Sequence, residues 1–196
     1  MIKQKQKNRK AIDIDNLVCL IIDMQDKFLK KHDPKIVELM VQNQVSVLDY
    51  CSNRDIPMVF LEYNGYGETI KDLKHIASGY DPLFLTKSYN SGFDGVLTDN
   101  EKDDIYKKTL KSILKETKRN HLLLMGINKN ACVKATAEGA LIEGFNFSTS
   151  KDLINSRKVK YSDWILKEDV LWDNDFYGPG SHLYVDYYDD LLDRII

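Results

Sequence analysis

The sequence is poor in the residue types that hold disulfide-stapled or metal-built proteins together. It has only three cysteines, Cys19, Cys51 and Cys132, and four histidines in 196 residues. An odd number of widely spaced cysteines supplies neither a disulfide framework nor a zinc site, and a reducing, cytoplasmic setting fits that usage. No apolar run approaches the roughly 20 residues that span a bilayer, so no membrane partner is expected. The basic start has no apolar segment behind it, so no secretory signal is expected. A formal net charge of −2 gives no general argument for nucleic acid as a partner. Repeats, low-complexity stretches and an interdomain linker are also absent.

What is present is ordinary for a soluble globular chain: 43% hydrophobic and 30% charged residues. The length suits one domain with a sizeable core, expected over residues 15–196 behind a basic tail, 1–14. Lys3, Lys5, Lys7, Arg9 and Lys10 carry the tail's charge with no acid among them, which reads as a solvated tail, a recruiting arm being the alternative. From Tyr161 onward nine acids face only Lys167 and Arg194, among the aromatics Tyr161, Trp164, Trp172, Phe176, Tyr177, Tyr184, Tyr187 and Tyr188. Gly178-Pro179-Gly180 marks a turn there. Lid, oligomer contact and core packing all remain open for this segment.

Strand and helix patterns alternate along the chain. Leu17–Asp23 is an apolar run closed by an acid, as a strand buried on both faces of a parallel sheet reads. Pro34 suits the first turn of a helix whose apolar face is Val37, Met40, Val41, Val47, Leu48 and Cys51. Pro57–Glu62 is a second strand, followed by a loop with Gly65, Gly67 and Gly79. Asp81–Lys87 is a third. Thr98 and Glu101 suggest a capping box ahead of a helix with Ile105, Tyr106, Leu110, Ile113 and Leu114 inward. The apolar run His121–Met125 ends at Gly126 as a fourth strand, a small-residue helix follows, and a fifth strand lies around Phe145–Thr149. Cys19 and Cys51 fall on apolar faces and belong to the core. This alternation predicts a three-layer α/β sandwich, a mainly parallel, doubly wound, Rossmann-like sheet with helices on both faces.

In such sheets, sites form beyond the carboxyl ends of the strands. Asp23, Lys87 and Cys132 each stand at or just past such an end. Singly, Asp23 could cap a turn, Lys87 could be solvated and Cys132 could be a small buried apolar group. Jointly, an acid, a cation and a thiol on one sheet edge make a nucleophile with its base and an electrostatic partner. A cysteine on the first turn of a helix is also expected to lean toward thiolate.

The segments CLIIDMQDKF, LTKSYNSGFDG and LMGINKNACVKATAEGALIEGF resemble, in order and spacing, the three signatures of the isochorismatase-like cysteine hydrolases. The resemblance covers residues 15–155. It implies Cys132 as nucleophile, Asp23 as the proton carrier and Lys87 as their cationic partner. It also implies a cis peptide between Ile127 and Asn128, an oxyanion hole from the N–H groups of Asn128 and Cys132, and Phe28 lining the substrate pocket. Family members form dimers or tetramers, so a homo-oligomer is expected.

The departures also carry information. The Asp-x-His pair of metal-binding nicotinamidases is absent: Glu62 and Asn64 stand there, and His75 lies alone downstream. Such a set would hold zinc poorly, so no metal or other cofactor is expected. Cys132 favours C–N bond cleavage over the vinyl-ether chemistry of true isochorismatases, which generally lack it. Lys129 and Val96 replace two frequent threonines and leave the small-molecule substrate open. The expected function is therefore cleavage of a small amide-type C–N bond through an acyl-enzyme. Ester or vinyl-ether hydrolysis at the same site, or a binding paralogue without turnover, are the alternatives.

Overall fold

The computed structural model describes residues 11–94, 98–99, 109–156, 177–178 and 180–196. The basic residues 3–10, Glu101, Ile105, Tyr106, Val96 and the aromatics from Tyr161 to Phe176 lie outside them. The elements are β1 Leu17–Ile22, α1 Asp26–Leu29, α2 Pro34–Ser52, β2 Met58–Tyr63, α3 Lys71–Ala77, β3 Leu83–Lys87, β4 Thr98–Asp99, α4 Leu110–Thr117, β5 His121–Ile127, α5 Lys134–Ile142, β6 Asn146–Ser150, β7 Ile154–Asn155, β8 Tyr177–Gly178, β9 Gly180–Val185 and α6 Tyr188–Leu192.

The strands form one sheet in the order β4-β3-β2-β1-β5-β6-β9-β8, with β7 beside the end of β5. From β3 to β9 all neighbours run parallel; only β4 and β8, at the two ends, are antiparallel. The winding reverses at β1, which pairs with β2 on one side and β5 on the other. All six residues of β1 are buried, as the unbroken apolar run requires for a strand covered on both faces. α2 packs against α3 and α6, while Leu110 of α4 and Thr136 of α5 meet at Gly92. The fold is thus the expected three-layer α/β sandwich. Among the described residues no helix is long and apolar enough to cross a membrane.

Two local expectations need correction. Thr98 opens no helix: its backbone pairs with Thr86 in the β3–β4 ladder. The reciprocal cap belongs to Thr109 and Ser112, which open α4 eleven residues later. The stretch read as a glycine loop contains α3, whose Leu73 and Ala77 are buried. Gly178 and Gly180, on either side of the expected turn, pair in the antiparallel β8–β9 ladder, and β9 extends the sheet in parallel beside β6.

Gly126 ends the core of β5 with φ +139°, and a Cβ there would meet the Ile22 carbonyl oxygen of β1 at 2.1 Å. Neither backbone can yield without parting the two central strands. Gly126→Ala is therefore expected to destabilise the fold by about 3 kcal/mol, measurable as a drop in the denaturant midpoint at unchanged m-value.

Candidate active site

The carboxyl ends of β1, β3 and β5 meet beside the reversal point, and each delivers one polar side chain. β1 ends at Ile22, and Asp23 follows with φ 55°, a left-handed turn that aspartate tolerates better than most residues. Its N–H donates to the Leu61 carbonyl at 2.9 Å, which ties the turn to β2. Gln25, fully buried two residues on, clamps the loop after β2: Tyr63 N–H donates to its Oε1 at 2.8 Å, and its Nε2 donates to the Tyr63 carbonyl at 3.0 Å and to the Gly67 carbonyl.

Lys87, the last residue of β3, is fully buried, and its ammonium donates to Asp23 Oδ2 at 3.0 Å. The same ammonium donates to the carbonyls of Tyr89 at 3.1 Å and Asn90 at 3.3 Å. Those three acceptors use all three donors of a lysine. The Tyr63 ring lies 4.6 Å away and adds a cation–π contact. The Lys87 ammonium is thereby held in place on every side that can donate. The other oxygen of the carboxylate, Asp23 Oδ1, is buried without a hydrogen-bond partner among the described residues.

Cys132 belongs to a π-helical turn, Lys129–Val133, that precedes α5. The turn hangs on Asn128, whose carbonyl accepts from the N–H groups of Ala131 at 3.0 Å and Val133 at 3.1 Å. The Cys132 N–H takes no part in those bonds. The peptide between Ile127 and Asn128 is cis. The thiol, only 4% exposed as a residue, donates to Asn90 Oδ1 at 3.7 Å. Asn90 thus bridges the two ends of the site, its carbonyl on Lys87 and its amide oxygen on Cys132.

Burial first, and then the charge of Asp23, push the Cys132 thiol up to about 12, with Lys87 pulling the other way. The expected lean toward thiolate is overturned, because desolvation of the anion outweighs the nearby cation. Asp23 is raised above the ordinary carboxylate range by burial, opposed by Lys87 and by the Cys132 thiol. The thiol therefore bears on the carboxyl's titration without completing a bond of normal geometry to Oδ1. The resting pair is a neutral thiol beside an acid anchored on a lysine.

Phe28, on α1, stacks on Tyr66 at 4.2 Å and meets Tyr63 edge-on at 6.0 Å. Since Tyr63 also covers Lys87, this aromatic wall adjoins the ion pair. Of the residues weighed as metal ligands, Glu62 is buried and accepts from the Thr69 N–H at 2.7 Å. Asn64 and His75 are exposed, His75 on the helix after the loop. Among the described residues no three His, Cys, Asp or Glu side chains group as metal ligands.

Asp23, Lys87 and Cys132 are thus drawn to one sheet edge, with Asn128 and Phe28 around them. Sequence reasoning missed Asn90, Gln25, Tyr63, Tyr66 and His32. Asn90 had a usable signal, three residues past Lys87 in the second signature; His32 had none.

The chain from residue 18 to 170 matches the model of the isochorismatase domain. An uncharacterized isochorismatase family protein of Bacillus subtilis (strain 168), YaaI, is 25% identical over 162 residues, covering 78% of this chain and 89% of that protein. An isochorismatase of Pseudomonas putida KT2440 superposes with a TM-score of 0.70 at 16% identity, over 91% of this chain and 92% of that one. N-carbamoylsarcosine amidase of Thermoplasma acidophilum does so with a TM-score of 0.65 at 18% identity, over 89% and 97%. With the domain match spanning most of its length, the chain belongs to the isochorismatase family.

Proposed function

We propose that this protein is a metal-independent cysteine hydrolase that cleaves the C–N bond of a small amide-type substrate through an acyl-enzyme on Cys132. The observation that carries this reading is the division of labour within one buried carboxylate. Asp23 Oδ2 is taken by Lys87, while Oδ1 has no hydrogen-bond partner among the described residues and lies beside a neutral thiol. A neutral nucleophile needs a base that acts when substrate arrives, and Oδ1 is an acceptor with no competing bond.

In this scheme the Cys132 proton passes to Asp23 Oδ1 as the sulfur attacks the carbonyl carbon. Charge developing on the carbonyl oxygen is met by the N–H groups of Asn128 and Cys132, donors whose removal typically costs about 10²–10³ in rate. The C–N bond breaks as Asp23 returns the proton to the leaving nitrogen, giving a thioester. Water then attacks the thioester, again losing its proton to Asp23, and the acid product leaves with the thiol restored. Lys87, all its donors occupied, acts by charge alone, keeping the carboxylate form within reach despite burial. The Phe28–Tyr66–Tyr63 wall supplies the apolar side of a small-molecule pocket. The isochorismatase domain match and the N-carbamoylsarcosine amidase likeness support hydrolysis of this kind.

The test is a panel of small amides, ureides and carbamoyl compounds screened for ammonia release, with mass analysis of the Cys132 peptide under slow substrate. An acyl mass on that peptide is expected, and exhaustive chelation should leave the rate unchanged. A rate that collapses with chelator and returns with zinc, manganese or iron would overturn the metal-independent mechanism.

A further inference from the structure

We propose that His32 is a positioning residue for the oxyanion side of the site, acting through the side chain of Asn128. The inference rests on the reading of Cys132 as nucleophile. His32 lies half-buried in the link between α1 and α2. Its backbone is fixed on both sides: its own N–H donates to the Leu29 carbonyl at 2.9 Å, and Asp33 caps α2 by accepting from the Lys35 N–H at 3.0 Å. From that rigid base the ring reaches across the site edge, and Nε2 lies 3.2 Å from Asn128 Oδ1, a partner 96 residues away. An amide oxygen only accepts, so Nε2 carries the proton, as the neutral Nε2–H tautomer or as the imidazolium.

Asn128 is the residue on which the nucleophile's turn is built. Its carbonyl receives Ala131 and Val133, its N–H is one of the two donors assigned to the oxyanion, and its side chain is held by His32. The loop has two further outside anchors, the bond from Lys129 Nζ to the Tyr184 hydroxyl at 3.0 Å and that from Asn130 N–H to Ser156 Oγ at 3.0 Å. Those anchors should keep the turn folded when His32 is removed, but they sit one and two residues past the oxyanion donor. Of the three ties, only that of His32 grips Asn128 itself. It does so from the segment that also carries Phe28, so the substrate wall and the oxyanion donor are held in one frame. Misplacing a reacting group by about 1 Å costs up to about 10²-fold in rate.

A purely structural histidine and a positioning one differ in which reaction of the thiol they affect. Acylation by p-nitrophenyl acetate passes through a tetrahedral oxyanion, whereas alkylation by iodoacetamide does not; both need the same thiol. Rates of both, read as mass on the Cys132 peptide, are compared for the full-length wild type, His32→Ala and His32→Gln, with Cys132→Ala as control. His32→Ala should slow acylation about 10- to 100-fold while alkylation stays within about twofold. His32→Gln, which keeps an N–H donor, should recover most of the loss. Unchanged acylation in His32→Ala, or equal loss in both reactions, overturns the role of His32 and leaves the nucleophile standing. A wild type acylated elsewhere than on Cys132 overturns the nucleophile reading, and the role of His32 with it.

Discussion

Cys132→Ala is expected to fold as the wild type does and to lose covalent turnover. The thiol is small, it fills little of the core, and its one hydrogen bond among the described residues is a weak contact with Asn90 at 3.7 Å. Removing it costs stability of about 1 kcal/mol, within the ordinary range for a small buried truncation. Activity should fall far more, by about 10⁴–10⁶, because in the proposed mechanism nucleophile, base and cation act as a unit and the loss of one disables the rest. The asymmetry between stability and rate is the diagnostic, read from a denaturation curve beside an ammonia-release assay. No acyl mass should remain on the peptide around residue 132. Retained turnover in this variant would transfer the chemistry to Asp23 alone. Its raised pKa suits a proton donor, and vinyl-ether cleavage would become the better reading.

The resting state bears on how such an enzyme avoids unwanted chemistry. A thiol pushed up to about 12 is mostly unreactive toward solvent-borne electrophiles at neutral pH, since the thiolate is the nucleophile. Alkylation of Cys132 should therefore be slow near neutrality and accelerate as pH rises. In the proposed mechanism Asp23 accepts the proton at the moment of attack, so the acyl reaction need not follow the resting thiolate fraction. On that reading, reactivity is conferred by the substrate's arrival rather than by the helix end.

Much of the framework was legible because parallel strands buried on both faces leave an unmistakable apolar run. The Leu17–Ile22 and His121–Ile127 strands announced themselves in this way, and the acid, cation and thiol stood at strand ends where α/β sheets place their sites. The remainder depended on contacts that no local pattern records. The Gln25 clamp on Tyr63 spans 38 residues and the His32 tie to Asn128 spans 96. β9 was hidden in an aromatic, acidic stretch, and only its pairing beside β6, with Tyr184 buried, reveals it as a strand. The thiol's protonation is not legible for a related reason. A cation and a turn can be read from sequence, but the depth of burial that outweighs them comes from the folded layers.

Lys87→Met is the most damaging single change expected at this edge. Lys87 and Asp23 are both fully buried, with the ammonium 3.0 Å from the carboxylate. Removing one member of such a pair strands the other, at a cost of about 3–5 kcal/mol. The penalty should depend on pH, and its sign follows from Asp23. A carboxyl whose folded pKa is raised contributes stability that is full below its unfolded pKa, about 3.9, and is lost as pH rises through the folded value. Lys87 limits that rise in the wild type; without it the folded pKa climbs further and the losing window extends upward. The deficit of Lys87→Met should thus be small near pH 4 and grow toward neutrality, read from denaturant midpoints at several pH values. A deficit of equal size at all of them would mean that lost packing, not stranded charge, is responsible. Adding Asp23→Asn removes the stranded charge and should restore much of the neutral-pH stability, while leaving the double variant without a base. In Lys87→Met itself, Asp23 is driven toward its protonated form. It then cannot accept the Cys132 proton, and turnover should fall by several orders of magnitude even where the variant remains folded.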